Sequence, residues 1–401
     1  MLNFLKQKLK DLNREGLIRK PSVISAIDGA RVRINNKWYV SFCSNDYLGL
    51  AQHLILKRAM IAATKQFGVG AGAARLLSGT SILHQQLEKA IARFEDTDDA
   101  LLFTSGYAAN LGVITALITN KDIVFCDELN HASLVDSARL TKAKLHIYRH
   151  RDTAHLETLL RKSLRSAPYA LRYIITDAIF SMDGDGAPLN EMVLLAKKYN
   201  ARTIVDEAHG TGVFGKNGRG WSEALGVKNK IDVIIGTSSK ALGSIGGFIA
   251  GTQPLIDYIR NKSRPFIFTT ALPPGSCAAT IMALQTLKNR PVFKRSLWAN
   301  TAYIKNQLER TGLDLRKSVS PIIPIMIGDT KKTIAISQSL WHKGLYVPAI
   351  RPPTVPQGQS RLRLTITAMH TKKQIDLLLK EINRACLDAP RKQNPKNAAP
   401  R

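Results

Sequence analysis

Two stretches, Thr203-Ile204-Val205-Asp206-Glu207-Ala208-His209 and Val233-Ile234-Ile235-Gly236-Thr237-Ser238-Ser239-Lys240, share one plan. Each opens with a short, β-branched apolar run and then turns abruptly polar. Such runs read as strands buried on both faces. Similar runs occur at Leu101–Phe103, Ile123–Cys126, Leu145–Tyr148 and Tyr173–Thr176. Helical patterns near Leu83–Phe94, Ala108–Ile118, Ala154–Leu164 and Glu191–Tyr199 lie between most of them. This βαβα alternation predicts an α/β fold with a mainly parallel sheet covered on both faces.

In an open parallel sheet, ligands sit beyond the carboxyl ends of the strands. The informative residues are therefore the polar ones that end the apolar runs. They are Ser105-Gly106, Asp127 through His131, Asp177 through Ser181, Asp206 through His209 and Thr237 through Lys240. Lys240 follows small hydroxyls and precedes Gly243, Gly246 and Gly247, which leaves room for a bulky cofactor. A lysine that forms an imine must be partly unprotonated, through desolvation or a nearby cation. Taken alone, Lys240 fits a surface lysine in a flexible loop better.

Asp206 shifts the balance. Pyridoxal phosphate needs a carboxylate at its ring nitrogen, because the protonated pyridine is the electron sink. His209, three residues on, is placed to face the ring oxygen. Asp206-Glu207-Ala208-His209 also spells a helicase-type box, but that reading needs an upstream GxxxxGK[ST] loop, which the sequence lacks. Ser105-Gly106-Tyr107 precedes a helix beginning near Ala108, and a helix N-terminus suits a phosphate. Tyr107 or His131 is placed to stack on a ring. The glycines Gly68, Gly70 and Gly72 fit a tight loop as well as a ligand cradle.

The 401 residues carry 58 Lys and Arg against 30 Asp and Glu, a formal net charge of +28. Such a balance fits an acidic substrate or an acidic carrier protein, and fits a generally basic proteome best. The basic residues are spread along the chain, so nucleic acid is not expected as a partner, and no uninterrupted apolar stretch is long enough to span a membrane, so neither is a membrane. Cys43, Cys126, Cys277 and Cys386 form no CxxC pair or zinc spacing, which fits reduced thiols in a cytoplasmic enzyme. Met1–Gly16 reads as a short basic amphipathic helix with Leu2, Leu5, Leu9 and Leu12 on one side.

Six segments, taken in order, resemble the α-oxoamine synthase family of fold type I pyridoxal-phosphate enzymes. They are Ser44–Leu50, Thr104–Asn110, His131–Leu134, Phe180–Asp185, Asp206–Gly212 and Thr237–Gly243. The resemblance runs from about Leu17 to Leu387. It implies a large domain built on a mainly parallel seven-stranded sheet and a smaller C-terminal α+β domain. The expected division is an N-terminal helix and hairpin arm over 1–44, the cofactor domain over 45–285, the small domain over 286–388 and a disordered tail over 389–401.

Residue by residue, the resemblance makes Lys240 the Schiff-base lysine and Asp206 the partner of the pyridine nitrogen. His209 and Ser181 reach the ring oxygen, and His131 stacks over the ring beside the substrate. Ser105, Gly106, Tyr107 and Thr237 hold the cofactor and its phosphate. Thr269 or Thr270 reaches the phosphate of a neighbouring subunit, which implies a homodimer with active sites at the interface. Arg363 takes the amino-acid carboxylate, and Arg19, Asn45, Arg351 and Thr354 contact substrate or product. The Pro-rich run Arg351–Pro356, followed by Arg361–Leu364, resembles the branch that condenses L-alanine with a pimeloyl thioester in biotin biosynthesis. The thiol is CoA or an acyl carrier protein. Alternatives are a glycine-using member of the family and, more remotely, a nucleic-acid-binding protein on a disused scaffold. Asp177, where many members carry Glu, and Ala73-Ala74 before Arg75 depart from the family pattern and bear on substrate contacts.

Overall fold

The computed structural model describes residues 1–14, 18 and 21–387. Arg19 and the tail from 389 lie outside the described residues. The central sheet has seven strands in the order Asp99–Phe103, Gly247–Gly251, Val233–Thr237, Ala201–Asp206, Arg172–Asp177, Ile123–Asp127 and Lys144–Tyr148. The last five pair in parallel. Gly247–Gly251 runs antiparallel to both of its neighbours, so the sheet is mainly, not wholly, parallel.

The sheet is buried from both sides, as its continuous apolar runs predict. Arg172–Asp177 is buried at every residue. Side chains along a strand alternate between faces, and here the faces meet different cores. Leu102, Phe248 and Ala250 pack with Leu87 and Ile91 of helix Ile82–Glu95. Leu101, Phe103 and Ile249 pack with Val113 and Ile114 of helix Gly106–Leu117 on the other side.

Register aligns the strand ends. Asp177 stands opposite Asp206, Asp206 opposite Ile235, and Gly247 opposite both Thr237 and Phe103. The polar residues beyond Phe103, Asp177, Asp206 and Thr237 therefore share one edge of the sheet.

The N-terminal arm is a hairpin, Arg31–Ile34 and Lys37–Ser41. Asn35 and Asn36 turn it with φ of 47° and 60°, the two positive values a two-residue turn requires. Leu345–Tyr346 adds in parallel to Lys37–Ser41. In the C-terminal part, Ile322–Gly328, Ser360–Thr365 and Ala349–Ile350 form a three-stranded antiparallel sheet. Helices Val292–Glu309, Thr330–His342 and Lys372–Leu387 pack on it through Ile304, Ile336 and Ile375. Every residue of Ser360–Thr365 is buried, which seats Arg361 and Arg363 inside the protein.

Helix Leu2–Arg14 has no buried residue, so its leucine stripe lies open. Among the described residues, no helix is long and apolar enough to cross a membrane.

Candidate active site

The site grows from the aligned strand ends. Lys240, three residues past the strand Val233–Thr237, is half-buried. Burial pulls its amine down to about 8, and the charge of Arg363 adds to this, while Asp206 and Asp177 pull the other way. Each of these charges lies near enough to the amine to act on it. Asp206 is buried at the end of its strand. Its Oδ2 accepts from Asn110 Nδ2 at 2.6 Å, and its Oδ1 accepts from the Ala208 N–H at 2.8 Å. A carboxylate has about four lone-pair positions, so acceptor capacity remains.

Asn110 belongs to helix Gly106–Leu117, and its Nδ2 also donates to Ser133 Oγ at 2.8 Å. Ser133 Oγ lies 2.7 Å from Nδ1 of His131, and the Ser133 N–H reaches the same nitrogen at 3.3 Å. A continuous polar chain thus joins Asp206 to His131. Burial and the Lys240 charge lower the His131 imidazole, against the pull of Asp206. Asp177, also buried, accepts the backbone N–H of His131 at 2.6 Å. Burial, then the neighbouring Asp206, raises its carboxyl well above the ordinary range. Asp177 thus contacts the His131 backbone, and Ala74 bridges to Thr270.

His209 is buried, with Nδ1 2.6 Å from the Tyr47 hydroxyl. Burial, then Lys240 and Arg363, holds the imidazole well below its ordinary value. Arg363 is buried and spread as a fork: Nε donates to the Ser181 carbonyl at 2.6 Å, and its two terminal nitrogens donate to Thr365 Oγ1 at 2.8 Å and Asn45 Oδ1 at 3.3 Å. Arg363, Asn45, Ser181, His209, Lys240, Asp206 and His131 therefore form one neighbourhood.

On the same edge, Ser105 caps helix Gly106–Leu117 by accepting the Ala108 N–H at 3.0 Å. A Cβ on Gly106 would sit 3.6 Å from Thr237 Oγ1, so the helix N-terminus and Thr237 are in contact. A Cβ on Gly247 would fall 2.3 Å from the Ser105 carbonyl, so only glycine permits this approach. The Tyr107 hydroxyl turns away to Asp136 Oδ2 at 2.9 Å, leaving its backbone at the helix N-terminus.

Thr269, Thr270, Arg351 and Thr354 have their own surroundings. Thr270 pairs with Ala74, and both Thr269 and Thr270 line a small cleft with Arg75 and His84. Arg351 donates to the Ile18 carbonyl at 3.3 Å. Thr354 lines a cavity of about 480 Å³ with Leu129, Phe180, Met182 and Val355. Tyr47, Asn110 and Ser133 were given no role from sequence. The available signal for Asn110 is an amide in the apolar run Ala108–Ile118, whose other polar residue is Thr115.

This donor set fits pyridoxal phosphate. Lys240 supplies an amine, Asp206 an acceptor for a pyridinium N–H, His209 a ring-oxygen donor, and the helix N-terminus with Thr237 donors for a phosphate.

The class I and II aminotransferase family matches residues 37–382. The chain belongs to that family, has its type I fold, and uses pyridoxal phosphate as its cofactor. Its sequence relatives narrow the class to 8-amino-7-oxononanoate synthases. The enzyme of Thermoanaerobacter pseudethanolicus is 43% identical over 94% of this chain and 95% of its own length. That of Citrifermentans bemidjiense is 46% identical over 92% and 95%, and 8-amino-7-oxononanoate synthase 1 of Bacillus subtilis is 42% identical over 95% and 96%. Among solved structures, the serine palmitoyltransferase of Sphingomonas wittichii superposes with a TM-score of 0.90 at 32% identity, covering 96% of both chains. The 8-amino-7-oxononanoate synthase of Francisella tularensis superposes with a TM-score of 0.74 at 28% identity, covering 87% of this chain and 98% of its own.

Proposed function

We propose that the chain is an 8-amino-7-oxononanoate synthase. It joins L-alanine to a pimeloyl thioester and releases 8-amino-7-oxononanoate, CO₂ and the free thiol. The observation that carries the reaction class is an amine lowered to about 8 at Lys240, beside the buried carboxylates Asp206 and Asp177. The choice of alanine and a pimeloyl thioester is supported by relatives 42 to 46% identical over nearly the whole chain.

When bound, pyridoxal phosphate supplies the electron sink that stabilises negative charge at the amino-acid Cα. The chain's own residues do the rest. Arg363 holds the alanine carboxylate: a guanidinium has five N–H donors, and its fixed contacts to Ser181, Thr365 and Asn45 aim the remainder. Lys240, freed from the cofactor, is the base that takes the Cα proton and later returns one, work worth about 10²–10⁴ in rate. Asp206 holds the ring nitrogen's proton, while Asn110 and the Ala208 N–H keep the carboxylate aimed. His131, fixed through Ser133 and Asp177, covers the ring face. Ser105, Gly106 and Thr237 take the phosphate.

In this reading the segment 45–285 carries the cofactor, and 286–388 supplies Arg351, Thr354 and Arg363. The enzyme works as a cytoplasmic homodimer in which Thr269 or Thr270 reaches the neighbouring site. Its basic surface steers an acidic carrier protein, if the thiol is carried that way.

Turnover of the holoenzyme with alanine or glycine, each with a pimeloyl thioester, tests this by mass spectrometry of the products. Alanine gives 8-amino-7-oxononanoate. Preferred turnover of glycine overturns the assignment.

A further inference from the structure

We infer that Tyr47 fixes which nitrogen of His209 carries the proton, and so aims an N–H at the cofactor's ring oxygen. The inference rests on the reading that His209 reaches that oxygen. Tyr47 and His209 are 162 positions apart, yet the phenol oxygen lies 2.6 Å from Nδ1. Both residues are buried, and their rings meet edge-on with centroids 6.1 Å apart. Tyr47 is locked in place by its backbone, whose carbonyl accepts the Ala368 N–H at 2.7 Å.

A neutral imidazole has one N–H and one bare nitrogen, and the partners of the ring decide which is which. Either atom of the Tyr47–His209 pair is able to donate in isolation. The surroundings break the tie. Among the described residues, Nδ1 of His209 is the hydrogen-bond partner of the Tyr47 hydroxyl, while Arg363, the nearby cation, has no lone pair to offer its hydrogen. The phenol hydrogen is thus left to point at Nδ1. Burial keeps the phenol protonated by pushing it up to about 12. Nδ1 therefore accepts, and Nε2 keeps the hydrogen.

The reverse arrangement turns an Nδ1–H onto the phenol oxygen and strands the phenol hydrogen in a buried place, which is unfavourable. The site thus has two histidines set by different partners. His131 has its Nδ1 bonded by Ser133, and His209 has its Nδ1 bonded by Tyr47.

The test uses purified enzyme stripped of cofactor and labelled with ¹⁵N-histidine. The two ring nitrogens of His209 are read by NMR, with His209→Asn supplying the assignment. The expected result in the wild type is a bare Nδ1 and a protonated Nε2. In Tyr47→Phe, which keeps the ring, the two tautomers become mixed. A protonated Nδ1 in the wild type overturns the inference even if the variant fails to fold, and so does an unchanged tautomer in a folded Tyr47→Phe. A second arm measures cofactor dissociation by fluorescence. Tyr47→Phe is expected to weaken cofactor binding about tenfold, and His209→Asn at least as much. Unchanged cofactor affinity in His209→Asn removes His209 from the cofactor, which overturns that half of the inference and the site reading beneath it, while the tautomer is judged separately.

Discussion

An ordinary lysine titrates at 10.5, and Lys240 at about 8. At pH 7 the first is neutral in about one molecule in three thousand and the second in about one in ten, a gain of about 300-fold in usable amine. The shift is a balance of opposed causes. Burial and Arg363 lower the amine, while Asp206 and Asp177 raise it. The signs of two perturbations follow. Arg363→Gln removes a repelling charge and should raise the amine by about one unit, cutting the neutral fraction about tenfold. Asp206→Asn removes an attracting charge and should lower the amine by a similar amount. Asp206→Asn should therefore hold more free base and still make no product, because the ring nitrogen has lost its counter-charge. Competitive acetylation of cofactor-free protein across a pH series, with peptide mapping, gives the titration of Lys240 by itself. A wild-type midpoint at or above 10, or shifts of the opposite sign in the two variants, would refute the reasoning.

Arg363→Lys replaces a planar fork by a point charge and loses the three contacts that orient it; KM for alanine should rise about 10- to 100-fold in initial-rate assays, and an unchanged KM contradicts the carboxylate role. Asn110→Ala strips the 2.6 Å donor from Asp206, and cofactor affinity by fluorescence titration should fall about ten- to a hundredfold; equal affinity would mean that Asp206 needs no such support. His150 is a structural counterpart: burial opposes its charge, but hydrogen bonds to Asp127 and Asp185 win and raise it to about 9 from 6.5. Because the folded value is the higher one, the stabilisation is full below about 6.5 and is lost as pH rises through about 9. In urea, His150→Gln should cost up to about 3 kcal/mol at pH 6 and progressively less above pH 9, and the same deficit at both pH values would show that the charge is irrelevant.

Apolar runs mark six of the seven sheet strands, because the inner strands are buried on both faces and the edge strand Lys144–Tyr148 keeps a short apolar run. Gly247–Gly251 escaped because glycines bound it and only three apolar residues lie between them. Its glycine is there to let Ser105 approach, a tertiary demand with no local signature. Helix Ala132–Leu140 was missed because nine residues interrupted by Ser133, Asp136 and Ser137 show no clean apolar period. The strand-end logic reached Lys240, Asp206, His209, His131 and Ser105, whose positions follow from register. It did not reach Arg363, which arrives from a separate three-stranded sheet and was found only by resemblance. Tyr47 lies 162 residues from its partner, a separation that no local pattern spans.

The central claim is that one lysine, far in sequence from the carboxylates around it, holds the cofactor. Borohydride reduction of the coloured holoenzyme followed by peptide mapping tests this directly. The account predicts a single reduced pyridoxyl adduct on Lys240, and loss of both adduct and turnover in Lys240→Ala. An adduct on a different lysine, or full turnover in that variant, would contradict it.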